Sequence, residues 1–285
     1  MASWLLKAAI QGAISPLPAR DRLNRLLQER VTGSLTLTDE VFERKLAQCR
    51  RHLESYRAQR GTLPRHVLEL GTGWYPVVPI GLVAAGVDRV TTIDVNPLCD
   101  ATSASRALEM FGPVLDADRT AREPNQLLEP VGVRLLVCDA RNSGLPDASV
   151  DLFVSNNTLE HIPPEMLGEI IAEFRRLAAP GAVMDHFIDM SDHYAHFDRS
   201  ITEFNYLRYS DRTWRLFNNR LQYQSRLRIS DYRRIVEQTG FRVVTEEAER
   251  GPLDQLEGVK LAARFRRYPP EELAVVRAWV TAVTD

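Results

Sequence analysis

Apolar positions along the chain fall into two successive rhythms. Val41, Phe42, Leu46, Cys49 and Leu53 recur at helical spacing. Thr38 precedes them as a capping residue, with Asp39 and Glu40 in the first turn, and Gly61 and Pro64 end the helix. A shorter helix is expected nearer the N-terminus, broken by Pro16 and Pro18. From residue 66 the rhythm changes. Short apolar or β-branched runs at 66–70, 89–93, 134–138, 150–155 and 182–188 predict strands, and helical patterns at 77–85, 98–110 and 164–177 lie among them. Such alternation builds a parallel sheet with helices on both faces.

The pattern loosens after residue 188. Residues 190–229 exceed an ordinary connection and are expected to form an inserted cap. A helix follows Ser230, with Asp231 behind the cap. The runs 241–246 and 259–265 are joined by a turn at Gly251-Pro252. That leaves no room for a crossover helix, so the two are expected to pair antiparallel. The predicted organisation is a helical segment or lid over 1–60, an α/β domain over 61–268 that contains the cap, and a C-terminal helix over 269–285.

Composition narrows the partners. The chain has 285 residues, 44% hydrophobic and 26% charged, which is ordinary for a globular domain. A formal net charge of −2 gives no global attraction to nucleic acid, and a nucleic-acid partner is not expected. Nearly all the positive charge is arginine; the lysines are Lys7, Lys45 and Lys260. Cys49, Cys99 and Cys138 are odd in number and far apart, so neither a disulfide framework nor a zinc site is expected. No apolar run approaches the roughly 20 residues of a membrane span. The first residues resemble a signal peptide only superficially, because Gln11, Gly12 and Ser15 interrupt the apolar stretch. A helix packed on the protein body and a reducing, cytoplasmic setting are the expectations.

The most informative segment is 66–76. A buried strand delivers Gly71 and Gly73 into a tight turn just before a helix, where glycine permits positive φ and close approach of a ligand. A dinucleotide fits poorly. Pro76 stands where a third glycine would fall, and Glu69 sits just behind the turn, where a pyrophosphate would be repelled. A cationic adenosine such as S-adenosylmethionine (SAM) is favoured instead. Asp94 ends the second strand, where a carboxylate can accept both ribose hydroxyls. Asp139 ends the third, placed to accept from an adenine amino group. As structural alternatives, Asp94 caps a helix and Asp139 caps a loop.

With these residues in view the chain resembles a class I SAM-dependent methyltransferase, of the broad group with a Leu-Glu-His-Ile signature after strand four. The matching pieces are 67–73, 92–95, 138–140, 150–155, Leu159-Glu160-His161-Ile162 and 177–181, in the family's order. The resemblance implies an α/β, Rossmann-like, seven-stranded and mostly parallel sheet in the order 3-2-1-4-5-7-6, strand seven antiparallel. It implies SAM as cofactor, S-adenosylhomocysteine as product, and a pocket lined by Glu69, Gly71, Gly73, Asp94, Asp139, Ala140 and Asn156. Tyr75 and Pro76 depart from members with a third glycine, so contacts at the methionine end are expected to differ. Proteins of this appearance often close an N-terminal helix over the cofactor.

The acceptor is less legible. A hydroxyl acceptor must lose a proton, and histidine suits that task. His193 is the favoured general base and His161 the second candidate. A divalent cation among Asp189, Asp192, His193 and His196 is the alternative, though the spacing matches no sharp zinc pattern and no metal is expected. The insert interleaves arginines with aromatic residues, which suits a small acceptor of anionic or aromatic character. His196, Tyr206 and Arg226 are the candidate substrate contacts. The leading expectation is O-methylation of a sugar or secondary metabolite. N- or C-methylation, a non-catalytic SAM-binding module and an NAD-dependent oxidoreductase are the alternatives.

Overall fold

A computed structural model describes residues 4–16, 36–112 and 121–284. Its centre is a seven-stranded sheet: β1 (His66–Leu70), β2 (Arg89–Asp94), β3 (Val133–Val137), β4 (Val150–Asn156), β5 (Ala178–Asp189), β6 (Arg242–Arg250) and β7 (Val275–Val283). The spatial order is β3-β2-β1-β4-β5-β7-β6. β1 to β5 run parallel, whereas β7 pairs antiparallel with both β5 and β6. This is the expected order and direction.

The helices are α1 (Trp4–Ile14), α2 (Asp39–Arg60), α3 (Val77–Ala84), α4 (Ala101–Met110), α5 (Pro124–Leu128), α6 (Pro164–Leu177), α7 (Asp211–Trp214), α8 (Ile229–Gln238), α9 (Leu253–Glu257) and α10 (Pro270–Leu273). α2 begins and ends for local reasons. The Thr38 hydroxyl accepts from the Val41 N–H, and Gly61 takes φ +72° at the C-cap. Strand alternation then sorts side chains to two faces. Val67, Leu152 and Val154 face a core shared with α2, α3 and α4, while Leu68, Phe153 and Met184 face α6 and α8. α2 runs antiparallel to the strands. Lys45, near its start, interacts with Glu69 of β1, and Arg60, at its end, lies against Gly181.

A third core joins α1 to the insert. Trp4 and Ala8 pack with Tyr194, Phe204, Tyr206, Leu207 and Trp214, and with Leu256, Phe265 and Leu273 from the segment before β7. The expected packed N-terminal helix is therefore present. The break expected at Pro18 lies outside the described residues. Among those described, no helix is long and apolar enough to cross a membrane.

The C-terminal third departs from expectation. Residues 259–265 are not a strand, and residues 269–285 are not a helix. Pro269 and the acids after it start only the single turn α10, and Val275–Val283 forms β7. This strand lies inside the sheet, buried on both faces, so its apolar positions show no clean alternation. The α/β domain thus reaches residue 283. Smaller shifts occur elsewhere. β5 starts at Ala178, ahead of Pro180, through a register shift against β4. α8 is capped at Arg228 with Asp231, while Ser230 bonds to Glu272 instead.

Candidate functional site

The glycine turn lies at the carboxyl end of β1. Gly71 has φ +89°, donates to the Ile93 carbonyl at 2.7 Å, and leaves no room for a side chain because Thr158 occupies that place. Gly73 has φ +65°, and nothing lies within 4 Å of the position a Cβ would take. Its N–H donates to Asp94 Oδ2 at 3.0 Å, and the Asn96 N–H donates to Asp94 Oδ1 at 3.0 Å. Each carboxylate oxygen keeps accepting capacity for a further donor. Burial lifts the Asp94 carboxyl above its ordinary range, against the pull of these N–H groups.

Glu69 is placed differently from its neighbours. Its carboxylate is buried on the α2 face of the sheet and accepts from Thr92 Oγ1 at 2.7 Å. Thr92 Oγ1 is in turn 2.6 Å from Thr72 Oγ1. Burial pushes Glu69 up to about 7, with Lys45 acting in the opposite direction. It therefore supports the turn from beneath, through two hydroxyls.

Asn156 ends β4. Its Oδ1 is 3.2 Å from His52 Nε2, and its buried Nδ2 has no protein partner. His52 reaches it from α2, and the other ring nitrogen lies 2.7 Å from Asp185 Oδ2. Asp185 Oδ1 accepts from Thr281 of β7. The sequence reading did not single out His52, Asp185 or Lys45. The available signal was a histidine and a lysine on the apolar stripe of α2. Asp139 is exposed and held by the Arg141 guanidinium, which keeps its carboxyl below the ordinary range. Ala140 beside it belongs to the core on the α6 face.

The acceptor candidates gather beyond β4 and β5. His161 Nδ1 lies 2.7 Å from the Tyr223 carbonyl of the insert. The rings of His161 and His193 are 5.0 Å apart, and those of His193 and His196 are 5.4 Å apart. Burial pushes His193 down to about 3, with His161 adding to the effect, so the ring is neutral. His196 is exposed, its Nε2 3.1 Å from Ser191 Oγ. Asp192 is turned inward to Asn205 Nδ2 and the Tyr194 N–H, away from the histidines.

Tyr206 and Arg226, the expected substrate contacts, are buried within the insert. Tyr206 is fully buried, donates to the Met190 carbonyl and accepts from Arg228. Arg226 is 2% exposed; it donates to the carbonyls of Tyr206 and Tyr209 and to Asp211, and stacks on Trp214 and Phe265. Arg226, Arg228 and the rings of the insert build its own core, while Arg208, Arg212, Arg215 and Arg220 are exposed; spacing alone does not separate such a core from a pocket.

Comparison with known proteins bears on this arrangement. Residues 68–184 match the family model described as a methyltransferase domain. No curated protein sequence matches the chain. Magnesium protoporphyrin IX methyltransferase of Synechocystis, solved with S-adenosylhomocysteine, is 14% identical, with a TM-score of 0.50 over 98% of this chain and 99% of that one. The 1,6-didemethyltoxoflavin N1-methyltransferase of Burkholderia thailandensis is 16% identical, with a TM-score of 0.47 over 95% and 92%. A SAM-dependent methyltransferase of Methanosarcina mazei is 17% identical, with a TM-score of 0.45 over 77% and 92%. Residues 68–184 thus match a methyltransferase-domain model, and the seven-stranded sheet built around them has the fold of the Synechocystis enzyme.

Proposed function

We propose that the protein binds SAM at the carboxyl ends of β1, β2 and β4 and transfers its methyl group to an oxygen of a small molecule. One observation carries the cofactor reading: Asp94 is bonded to the Gly73 N–H at two adjacent strand ends, beside the open space over Gly73. Asp94 offers acceptors for two ribose hydroxyls there. The unpartnered Nδ2 of Asn156 is a donor at the neighbouring strand end. Bound SAM supplies a methyl group on a positively charged sulfur, a leaving group that needs no protonation.

The chain's part in the chemistry is then to align and to remove a proton. Alignment in a closed site is worth up to about 7–11 kcal/mol in favourable intramolecular cases. The new C–O bond forms as the C–S bond breaks, and the electron pair of that bond stays on sulfur. The hydroxyl proton of the acceptor passes to a base. In the metal-free chain we assign that place to His193, whose buried Nε2 has no hydrogen-bond partner and lies 3.9 Å from Asp189 Oδ1, a carboxylate that stabilises a protonated ring. The acceptor class, a sugar or secondary metabolite, rests on the polar mouth around His161, His193 and His196.

Calorimetric titration with SAM and S-adenosylhomocysteine tests the cofactor reading. Both should bind the unaltered protein with measurable heat, and Asp94→Ala should abolish it. Binding undisturbed by Asp94→Ala would remove the ribose role. Transfer of labelled methyl to candidate acceptors then tests the reaction.

A further inference from the structure

Beyond β4, Glu160 and His161 lie in a tight helical turn, and His193 reaches them from the loop after β5. One ligand atom from each of the three lies within 4.8 Å of the other two. We propose that Glu160, His161 and His193 form a binding site for a divalent transition-metal cation, with two imidazoles and one carboxylate as ligands.

Each residue presents an atom that the protein itself leaves unused. Glu160 is 1% exposed, and its Oε2 has no partner. Its carboxylate takes the Asp189 N–H, at 3.4 Å to Oε1, and its own backbone N–H. A buried carboxyl oxygen without a donor is costly unless something occupies it. His161 Nδ1 faces a backbone carbonyl, so it carries the proton, and the lone pair is on Nε2. That is the outer hydrogen bond usual for a metal-binding histidine. His193 Nε2 is buried and has no hydrogen-bond partner.

Asp189 stands beside the site, its Oδ1 3.9 Å from His193 Nε2 and its Oδ2 3.8 Å from His196 Nε2, too far for hydrogen bonds. Asp189 accepts from the Ser191 N–H and hydroxyl. His196 is exposed and bonded to Ser191. Around a zinc-sized ion with bonds of roughly 2.0–2.1 Å, tetrahedral ligand atoms stand about 3.4 Å apart. The ligand atoms, within 4.8 Å of one another, would draw together to that spacing on binding. Two nitrogens and one oxygen suit zinc, cobalt or manganese more than magnesium or calcium. Three protein ligands leave a position open, as in metal centres that meet a substrate.

The site stands on its own geometry and does not require the methyl-transfer reading. Its use of His193 Nε2 excludes the same nitrogen as a free base. The test is titration of the chelator-stripped full chain with Co²⁺ and Zn²⁺. Calorimetry and the visible absorption of bound Co²⁺ are the readouts, with S-adenosylhomocysteine titrated in parallel. One equivalent should bind, weakened at least 10-fold by Glu160→Gln and by His193→Ala, and unchanged in His196→Ala. Absence of stoichiometric binding to the unaltered, folded chain overturns the proposal. So does binding that survives both ligand substitutions. The parallel titration reports on the cofactor site separately, so failure of either site is recognised alone.

Discussion

Gly71 and Gly73 are two residues apart and share a left-handed backbone, yet they meet different surroundings. At Gly71 any side chain must displace Thr158, whereas at Gly73 the space is open. Gly71→Ala should therefore cost about 2–5 kcal/mol of stability, combining backbone strain with overpacking. Gly73→Ala should cost only the backbone part, about 1–2 kcal/mol. Its methyl would instead stand in the proposed cradle and weaken S-adenosylhomocysteine binding by 10-fold or more. Denaturation and calorimetry on the two variants check this split. Glu69 gives a second residue-level expectation. Its folded pKa, raised to about 7 by burial, lies above the unfolded value of about 4.3. Between these values the folded chain holds a proton that the unfolded chain has lost. Stability should then fall as pH rises from about 4.3 to 7, by up to about 3 kcal/mol. Glu69→Gln should flatten that slope in urea melts taken across the range, and an unchanged slope would remove Glu69 as its source.

At the scale of elements, α2 is more than a cover for the sheet. Through His52 it ties the end of β4 to the middle of β5, and through Asp185 to Thr281 of β7. His52→Ala should cost about 3–5 kcal/mol, since it strips a buried carboxylate of its imidazole. It should also loosen Asn156, so cofactor affinity should drop with it. A variant that melts like the unaltered chain would show the triad to be dispensable. Along the chain, only a histidine on the apolar stripe of α2 pointed to it. The glycine turn and Asp94 were legible because strand ends and turns are local matters of neighbouring residues. The triad joins residues from three elements, and only the packing of α2 against the sheet creates it. Tyr206 and Arg226 failed as expected ligand contacts for a similar reason: an arginine beside rings suits a pocket or a core, and burial decides between them.

For the whole molecule, the parallel sheet followed from the alternation and the strand order from the family resemblance, but the last strand was sought in the wrong place. The segment 259–265 alternates well enough to resemble an edge strand. The run 275–283 carries alanines and follows Pro269, Pro270 and two acids, the signature of a helix start. Its true place, between β5 and β6, has a kinetic consequence. Among the described residues β6 has β7 as its only sheet neighbour, and their shorter separation along the chain favours that ribbon pairing before β7 meets β5. That ribbon then docks on β5 by pairs such as Val183 with Val283, far apart along the chain. Closure over such separations is slow, and until it happens the free edge of β5 is open to association with other chains.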